Sequence, residues 1–211
     1  MREATVAVLD MTRLEVAPVR SEPFDWFAGT GVLNGAAPAV AESFPEISTT
    51  GFHPVEDDWR RGAFGELLAT LESDEFSRAV GDKLGLDLSD KPQLITVRKL
   101  SARHEGRVHT DSDKKLASFL IYLNDKWTST DGRFRILRGP KLEDTVVEVP
   151  PETGAFVGFR RADNSWHGHT PFVGERRVVQ VAWLRDQAAV DRKKRTHGLG
   201  GLLKTMFKRA A

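Results

Sequence analysis

The chain has 211 residues, of which 40% are hydrophobic, and a formal net charge of +1. This length is sufficient for one well-buried core, so one domain is expected over residues 1–190. The absence of cysteine excludes disulfides, thiolate metal sites and a cysteine nucleophile. No apolar run is long enough to span a membrane and no signal-peptide pattern is present, so the expected location is cytoplasmic.

The basic residues are concentrated at the C-terminus. Residues 191–211 contain seven Lys or Arg and one acid, a net charge of +6, so residues 1–190 sum to −5. Within this tail, apolar residues at helical spacing predict a basic amphipathic helix. The pattern favours docking on the domain, or a disordered end, over contact with an anionic membrane surface or an acidic partner. Nucleic acid is not an expected partner, because no platform of aromatic and basic residues supports it.

The first ninety residues are predicted to be largely helical, after one or two edge strands within residues 1–22. Residues 38–44 read as a short helix with proline in its first turn. Residues 63–71 have apolar side chains at helical spacing. Ser73 is a predicted N-cap for a further helix that ends at Gly85. We expect the helices in residues 36–90 to support one side of a sheet.

Residues 92–185 are predicted to form short strands separated by turns rich in Gly, Pro, Asn and Asp. The predicted strands cover residues 94–98, the surroundings of His109, and residues 117–123, 133–137, 145–149, 154–159 and 178–184. Several strands at this spacing indicate an antiparallel sandwich or barrel. The predicted fold is therefore mainly β with flanking helices and a jelly-roll core, or double-stranded β-helix.

Two residues in the middle of the chain suggest a metal site. His109 and Asp111 are two positions apart, so on a strand their side chains project from the same face. A later histidine would complete a set of two imidazoles and one carboxylate, which suits Fe(II) and leaves coordination positions open for substrate and O₂. His167 and His169 are both candidates, and their spacing alone does not decide between them.

These motifs lie within a longer stretch that resembles a known family. Residues 94–184 resemble the Fe(II)/2-oxoglutarate-dependent oxygenases, in the prolyl-4-hydroxylase-like branch and of the bacterial type. The matching segments follow in the expected order: His109-Thr-Asp111, Phe119-Leu-Ile-Tyr-Leu-Asn124, Asp131-Gly-Arg-Phe-Arg135, Gly154-Ala-Phe-Val-Gly-Phe159, Trp166-His167 and Arg177. One departure is Asp131-Gly132, where the family usually has two glycines.

The resemblance implies that His109, Asp111 and His167 bind the iron. The proline four residues after His167 matches the family pattern and favours this residue over His169. Asp111 is also informative, because related halogenases have a small residue there, so the aspartate favours hydroxylation.

The resemblance further implies an anchor for the co-substrate. Tyr122, the only tyrosine, lies where related enzymes bind the distal carboxylate of 2-oxoglutarate. The basic partner of that carboxylate lies about ten residues after the iron-binding histidine, which favours Arg177 over the adjacent Arg176. Arginine suits the role because its planar guanidinium stays charged and can bind a carboxylate bidentately.

The function implied is a dioxygenase that uses Fe(II), 2-oxoglutarate and O₂, with ascorbate as a candidate reductant. It would hydroxylate an unidentified substrate and release succinate and CO₂. The substrate classes left open are a protein side chain, a free amino acid, and a carbohydrate or lipid. The alternative is a non-catalytic, cupin-like jelly-roll protein that binds metal and acts as a sensor or docking module.

Overall fold

The computed structural model describes residues 7–188 and 190–191. Its helices are α1 (Met11–Val16), α2 (Ala37–Glu42), α3 (Gly62–Leu71) and α4 (Asp74–Leu84). Short 3₁₀ turns cover Asp57–Trp59 and Leu142–Asp144. The strands are β1 (Val19–Arg20), β2 (Trp26–Gly29), β3 (His53–Pro54), β4 (Gln93–Ser101), β5 (Lys115–Tyr122), β6 (Phe134–Leu137), β7 (Thr145–Val149), β8 (Phe156–Arg160), β9 (His167–Gly168) and β10 (Gly174–Leu184).

The strands form two antiparallel sheets. The large sheet has seven strands in the order β1-β2-β8-β5-β10-β4-β3, and the small sheet has three in the order β7-β6-β9. Strand β10 is central, pairing with both β4 and β5. Non-sequential neighbours within two facing sheets are the arrangement of a jelly roll, so the predicted fold class is confirmed.

Alternation along the strands gives the large sheet two different faces. One face packs against the helices: Phe119, Val181 and Trp183 share a core with Phe64 and Phe76. The other packs against the small sheet, where a second core includes residues of β5, β8 and β10 together with Phe134 and Ile136. The three strands of the small sheet leave part of this face of the seven-stranded sheet uncovered, so a ligand can enter between the two sheets.

The helix predictions are confirmed for α2, α3 and α4. Ser73 caps α4 by accepting a hydrogen bond from the backbone N–H of Phe76 at 3.1 Å. Gly85 ends that helix in the left-handed conformation, with φ of 62°. The buried side chains of α3 are the four that carried the helical spacing in the sequence: Phe64, Leu67, Leu68 and Leu71.

Some elements differ from the prediction. The described part of residues 1–22 contributes one edge strand, β1, and also the helix α1, which was not predicted and which Asp10 caps by accepting a hydrogen bond from Arg13 N at 3.2 Å. His53, predicted to lie in a loop, starts the two-residue edge strand β3. His109 makes only an isolated bridge to His167 in place of a strand, and the two-residue strand β9 was not predicted.

Among the described residues, no helix is both long and apolar enough to cross a membrane. Residues 192–211 lie outside the described part, and with them nearly all of the predicted basic tail. The division into one domain over residues 1–190 and a tail over 191–211 stays a prediction.

Candidate active site

The isolated bridge between His109 and His167 brings the two histidines together. Each backbone N–H donates to the carbonyl of the other at 3.0 Å, and the ring centroids are 4.4 Å apart. His109 lies on the connection between β4 and β5, and His167 begins β9, so residues 58 positions apart meet across the gap between the two sheets. This pairing places both imidazoles at one end of the inter-sheet space.

Asp111 completes the cluster. Its side chain is buried, and Oδ1 lies 3.9 Å from Nε2 of His109. One ligand atom from each of His109, Asp111 and His167 can be chosen so that all three lie within 4.8 Å of one another. This set is the only such group of three or more His, Asp or Glu side chains in the part of the chain that the structure describes.

Backbone carbonyls orient both imidazoles. His109 Nδ1 donates to the carbonyl of Arg107 at 2.8 Å, and His167 Nδ1 donates to the carbonyl of Ser165 at 2.8 Å. Because a carbonyl can only accept, each Nδ1 carries the proton and each Nε2 keeps its lone pair for a metal. Burial also lowers the pKa of His167 to about 4, so this ring is neutral near pH 7.

Asp111 is held by two buried side chains from β5. Lys115 Nζ donates to Oδ1 at 2.6 Å, and Ser118 Oγ donates to Oδ2 at 2.8 Å. Burial by itself would raise the pKa of Asp111, but the charge of Lys115 and these two hydrogen bonds hold it well below its usual range. The carboxylate is therefore ionised, fixed in orientation and ready to act as a metal ligand.

The donor set fits Fe(II). Two neutral imidazoles and one carboxylate on one side of a cavity are the ligands of the facial triad, with open positions on the other side. Hydrogen bonds to the outer atoms of all three ligands fix their orientation, as is usual around metal sites.

A cavity of about 360 Å³ extends from this cluster between the two sheets. Its walls include the apolar side chains of Leu94, Leu120, Phe134 and Phe159. The end of the cavity that is distant from Ser118, along β5 and β10, is polar. There Val178 of β10 pairs with Arg98 of β4 on one side and with Tyr122 of β5 on the other, so all three side chains project from the face of the sheet that borders the cavity.

Four buried polar atoms at this end have no hydrogen-bond partner among the described residues: Arg98 Nε, Tyr122 Oη, His169 Nε2 and Arg176 Nη2. Three of them are donors, and two of those donors belong to guanidinium groups. The Arg176 guanidinium carbon lies 5.2 Å from the centre of the Tyr122 ring, so the donors are close together. Buried donors without partners are costly, and a carboxylate ligand would satisfy them.

The position of Arg177 requires a correction to the prediction. The guanidinium of Arg177 pairs with Glu175 at 2.6 Å and lies 5.2 Å from the ring of Phe44, which packs on the helix-covered face of the large sheet. Arg176 faces the cavity instead, and its Nε donates to the carbonyl of Gly132 at 2.8 Å. A β-bulge between Glu175 and Val178 accompanies this arrangement.

His169 is not part of the metal cluster. Its Nδ1 donates to the carbonyl of Thr170 at 2.7 Å, and its ring lies against Gly106 on the cavity wall. Burial, followed by the charge of Arg176, lowers the pKa of His169 to about 3, so the ring is neutral. Of the two candidate histidines, the structure brings His167 to Asp111.

The sequence prediction set Arg176 aside in favour of Arg177, and it did not include Arg98, Lys115 or Ser118 among the site residues. The parity of β10 carried a usable signal. Odd-numbered and even-numbered residues of β10 lie on opposite faces of the sheet. Arg177 is odd-numbered, like the apolar residues on the helix-covered face: Val179, Val181 and Trp183. Arg176 is even-numbered, like Gln180, which lines the cavity. When every second residue of an otherwise apolar strand is polar, those residues indicate the face on which a ligand binds.

The comparisons with known proteins agree with this geometry. Residues 95–185 match the family model described as the 2OG-Fe(II) oxygenase superfamily. Comparison with curated protein sequences gives no match.

Several solved structures are similar in fold. A prolyl 4-hydroxylase of Phytophthora capsici has a TM-score of 0.60 and 19% identity, over 87% of this chain and 67% of that one. A prolyl-4-hydroxylase of Pseudomonas putida has a TM-score of 0.53 and 18% identity, over 83% and 93%. A prolyl hydroxylase of Trichoplax adhaerens, solved with a peptide fragment of hypoxia inducible factor, has a TM-score of 0.51 and 13% identity, over 90% of each chain. At these identities the similarity shows the fold alone.

Proposed function

We propose that the chain is a member of the 2OG-Fe(II) oxygenase superfamily, whose family model matches residues 95–185, and that it hydroxylates a substrate while converting 2-oxoglutarate to succinate and CO₂. Membership implies that it is a dioxygenase that uses Fe(II), 2-oxoglutarate and O₂. The observation that carries the proposal is that one cavity contains both a facial set of metal ligands and, at its other end, buried donors for a carboxylate.

Within this proposal His109, Asp111 and His167 hold the iron. Iron held by these residues would, with 2-oxoglutarate and O₂, supply the oxidising power for breaking a substrate C–H bond. The protein's part is to orient and to protect. Ser118 and two backbone carbonyls fix the ligands, while the walls formed by Phe134 and Phe159 keep water from the reacting atoms.

Arg176 and Tyr122 are the residues we assign to the distal carboxylate of 2-oxoglutarate. Arg176 is 1% exposed, and Gly132 fixes its Nε, which leaves the unpartnered Nη2 for the ligand. The Tyr122 hydroxyl is fully buried and lacks a partner among the described residues. Burial raises the pKa of Tyr122 despite the nearby charge of Arg176, so the hydroxyl keeps its proton to donate.

The alternative of a non-catalytic metal-binding protein explains less. A sensor that binds only a metal needs the three ligands but leaves the guanidinium and phenol donors of the same cavity without a function. The hydroxylated substrate is an unidentified molecule that reaches the metal end of the cavity, where His109 is the exposed member of the ligand set.

The test is an anaerobic titration of the metal-free protein with Fe(II) and 2-oxoglutarate, followed in the visible range. We expect a metal-to-ligand charge-transfer band, and succinate formation after O₂ is admitted. Both signals should be absent in His167→Ala and intact in His104→Ala, which removes an exposed histidine on the connection between β4 and β5. Binding of Fe(II) without a band or succinate would favour the sensor instead.

A further inference from the structure

The cavity contains two buried arginines where the proposed function uses one. Arg98 is 6% exposed and Arg176 is 1% exposed, and both line the cavity. We propose that Arg98 is a second binding residue for the distal carboxylate of 2-oxoglutarate, acting together with Arg176 and Tyr122. This inference rests on the proposed function, since it concerns the same co-substrate.

The sheet register places Arg98 at the correct end of the cavity. Arg98 and Tyr122 both pair with Val178, from opposite sides, so the two side chains flank one β10 residue on the same face of the sheet. Arg176 is two residues from Val178 along β10 and lines the same cavity. Strands β4 and β10 therefore each contribute one arginine to this end of the pocket, and Tyr122 of β5 lies beside Arg176, with its ring centre 5.2 Å from the guanidinium carbon.

The surroundings of Arg98 leave one edge of its guanidinium free. The guanidinium carbon lies 4.1 Å from the centre of the Phe52 ring, which covers one face. Nη2 lies 3.8 Å from a carboxylate oxygen of Glu105. Nε is buried and has no hydrogen-bond partner within the described residues. Phe52 and Glu105 thus orient the Arg98 guanidinium, and its Nε–H can donate to a ligand.

The charges around Arg98 and Arg176 also favour the binding of an anion. Arg98 and Arg176 bring two positive charges, and Glu105 is the nearby carboxylate that offsets one of them. Burial, followed by the charge of Arg176 among smaller effects, lowers the pKa of Arg98 to about 10, which still leaves it protonated near pH 7. One positive charge therefore remains, matching one carboxylate.

A different use for Arg98 would be to bind an anionic group on the primary substrate. The register argues against this use, because Arg98 flanks the β10 residue that also pairs with Tyr122, whereas the metal ligand Asp111 is held by Ser118, four residues away along β5. The test below separates the two uses.

The experiment measures dissociation constants of two acids for the Fe(II)-loaded protein under anaerobic conditions, from the visible charge-transfer band. One acid is 2-oxoglutarate. The other is pyruvate, which has the same metal-chelating end but no distal carboxylate. The variants are Arg98→Gln, Arg98→Lys and Arg176→Gln, with Lys99→Gln as the matched control. Lys99 is adjacent to Arg98 but pairs with Glu46 outside the cavity.

We expect Arg98→Gln to weaken 2-oxoglutarate binding by roughly ten- to a hundredfold, the usual effect of losing one charge-assisted hydrogen bond, and to leave pyruvate binding unchanged. Arg98→Lys, which keeps the charge and the packing of the stem, should weaken 2-oxoglutarate less. Lys99→Gln should change neither constant.

Three outcomes would count against these assignments. Unchanged 2-oxoglutarate affinity in Arg98→Gln, alongside a loss in Arg176→Gln, overturns the role of Arg98 and leaves the proposed function intact. Equal weakening of both acids overturns it as well, because Arg98 would then act on the metal end or on folding. Absence of 2-oxoglutarate binding to the unaltered protein overturns the proposed function itself.

Discussion

Arg176 and Arg177 are adjacent on β10, and their side chains lie on opposite faces of the large sheet. Arg176 is almost fully buried in the cavity between the sheets, with its guanidinium 5.2 Å from the Tyr122 ring. Arg177 lies 5.2 Å from the Phe44 ring on the helix-covered side and pairs with Glu175. Two residues with the same chemistry thus have different surroundings, and they form a natural matched pair for mutagenesis.

Arg176→Lys is expected to raise the KM for 2-oxoglutarate by roughly tenfold or more, because lysine cannot present the planar fork that binds a carboxylate. Arg177→Lys should leave that KM unchanged and alter the free energy of unfolding by less than about 1 kcal/mol, since its contacts are partly exposed. Succinate formation as a function of 2-oxoglutarate concentration gives both values. A larger effect for Arg177→Lys would restore the assignment that its position contradicts.

Substitutions of His167 and His169 should have different effects on Fe(II) binding. His167→Ala is expected to abolish tight Fe(II) binding, since one of its ring nitrogens lies within 4.8 Å of a ligand atom of His109 and of Asp111. His169→Ala should retain it, because this side chain lies outside the cluster and bonds the Thr170 carbonyl. Anaerobic equilibrium dialysis against Fe(II) measures both, with the exposed His104→Ala as control. Retention of iron by His167→Ala would show that the ligand set is wrong.

Lys115 should stabilise the metal-free protein more than the metal-bound one. Its ammonium, 2.6 Å from Asp111, is the main counter-charge to a buried carboxylate. Lys115→Met is expected to lower the free energy of unfolding by about 3 kcal/mol with a chelator present, and by clearly less with Mn(II), which supplies the counter-charge instead. Urea denaturation with and without Mn(II) tests this, with the exposed Lys114→Met as control. Equal losses in the two conditions contradict the proposal.

Acid should destabilise the metal-free protein in part through His169. Burial depresses its folded-state pKa to about 3 from the usual 6.5, so between these values the unfolded chain binds the extra proton. The contribution of His169 to the free energy of unfolding is therefore fully present above about pH 6.5. It decreases as the pH is lowered further, by about 2 kcal/mol between pH 7 and pH 5 for one such histidine. His169→Asn should show a pH-dependent loss smaller by that amount in urea unfolding with a chelator. Parallel pH profiles for the two proteins would rule this out.

Gly106 should be intolerant of a side chain for a steric reason. It has φ of +77°, and a Cβ built there would lie 2.0 Å from His169 Nε2. Gly31 has a similar φ of +73° but nothing within 4 Å of a Cβ, so Gly31→Ala measures the backbone cost alone. We expect Gly106→Ala to lower the free energy of unfolding by at least about 1 kcal/mol more than Gly31→Ala, because of overpacking. Equal losses would mean that His169 can move aside.

The local patterns of the sequence predicted most of the helices and strands and two of the three candidate metal ligands, His109 and Asp111. Helical spacing and the Ser73 cap identified α3 and α4, because burial of one helix face and satisfaction of free N–H groups are decided within a few residues. The two-residue spacing of His109 and Asp111, together with the family resemblance, predicted that both residues belong to one metal site. The structure brings both side chains into one cluster with His167.

Only the tertiary structure decided which residues complete the site. The side chain of His167 faces the cavity because of a long-range bridge to His109, and the pairing of β10 with β4 and β5 decides which face of β10 borders the cavity. Arg98, Lys115 and Ser118 are ordinary polar residues of strands until the fold buries them beside a carboxylate or a cavity. Spacing along a chain is a local property, whereas the face and the partner of each side chain depend on which distant strand lies opposite.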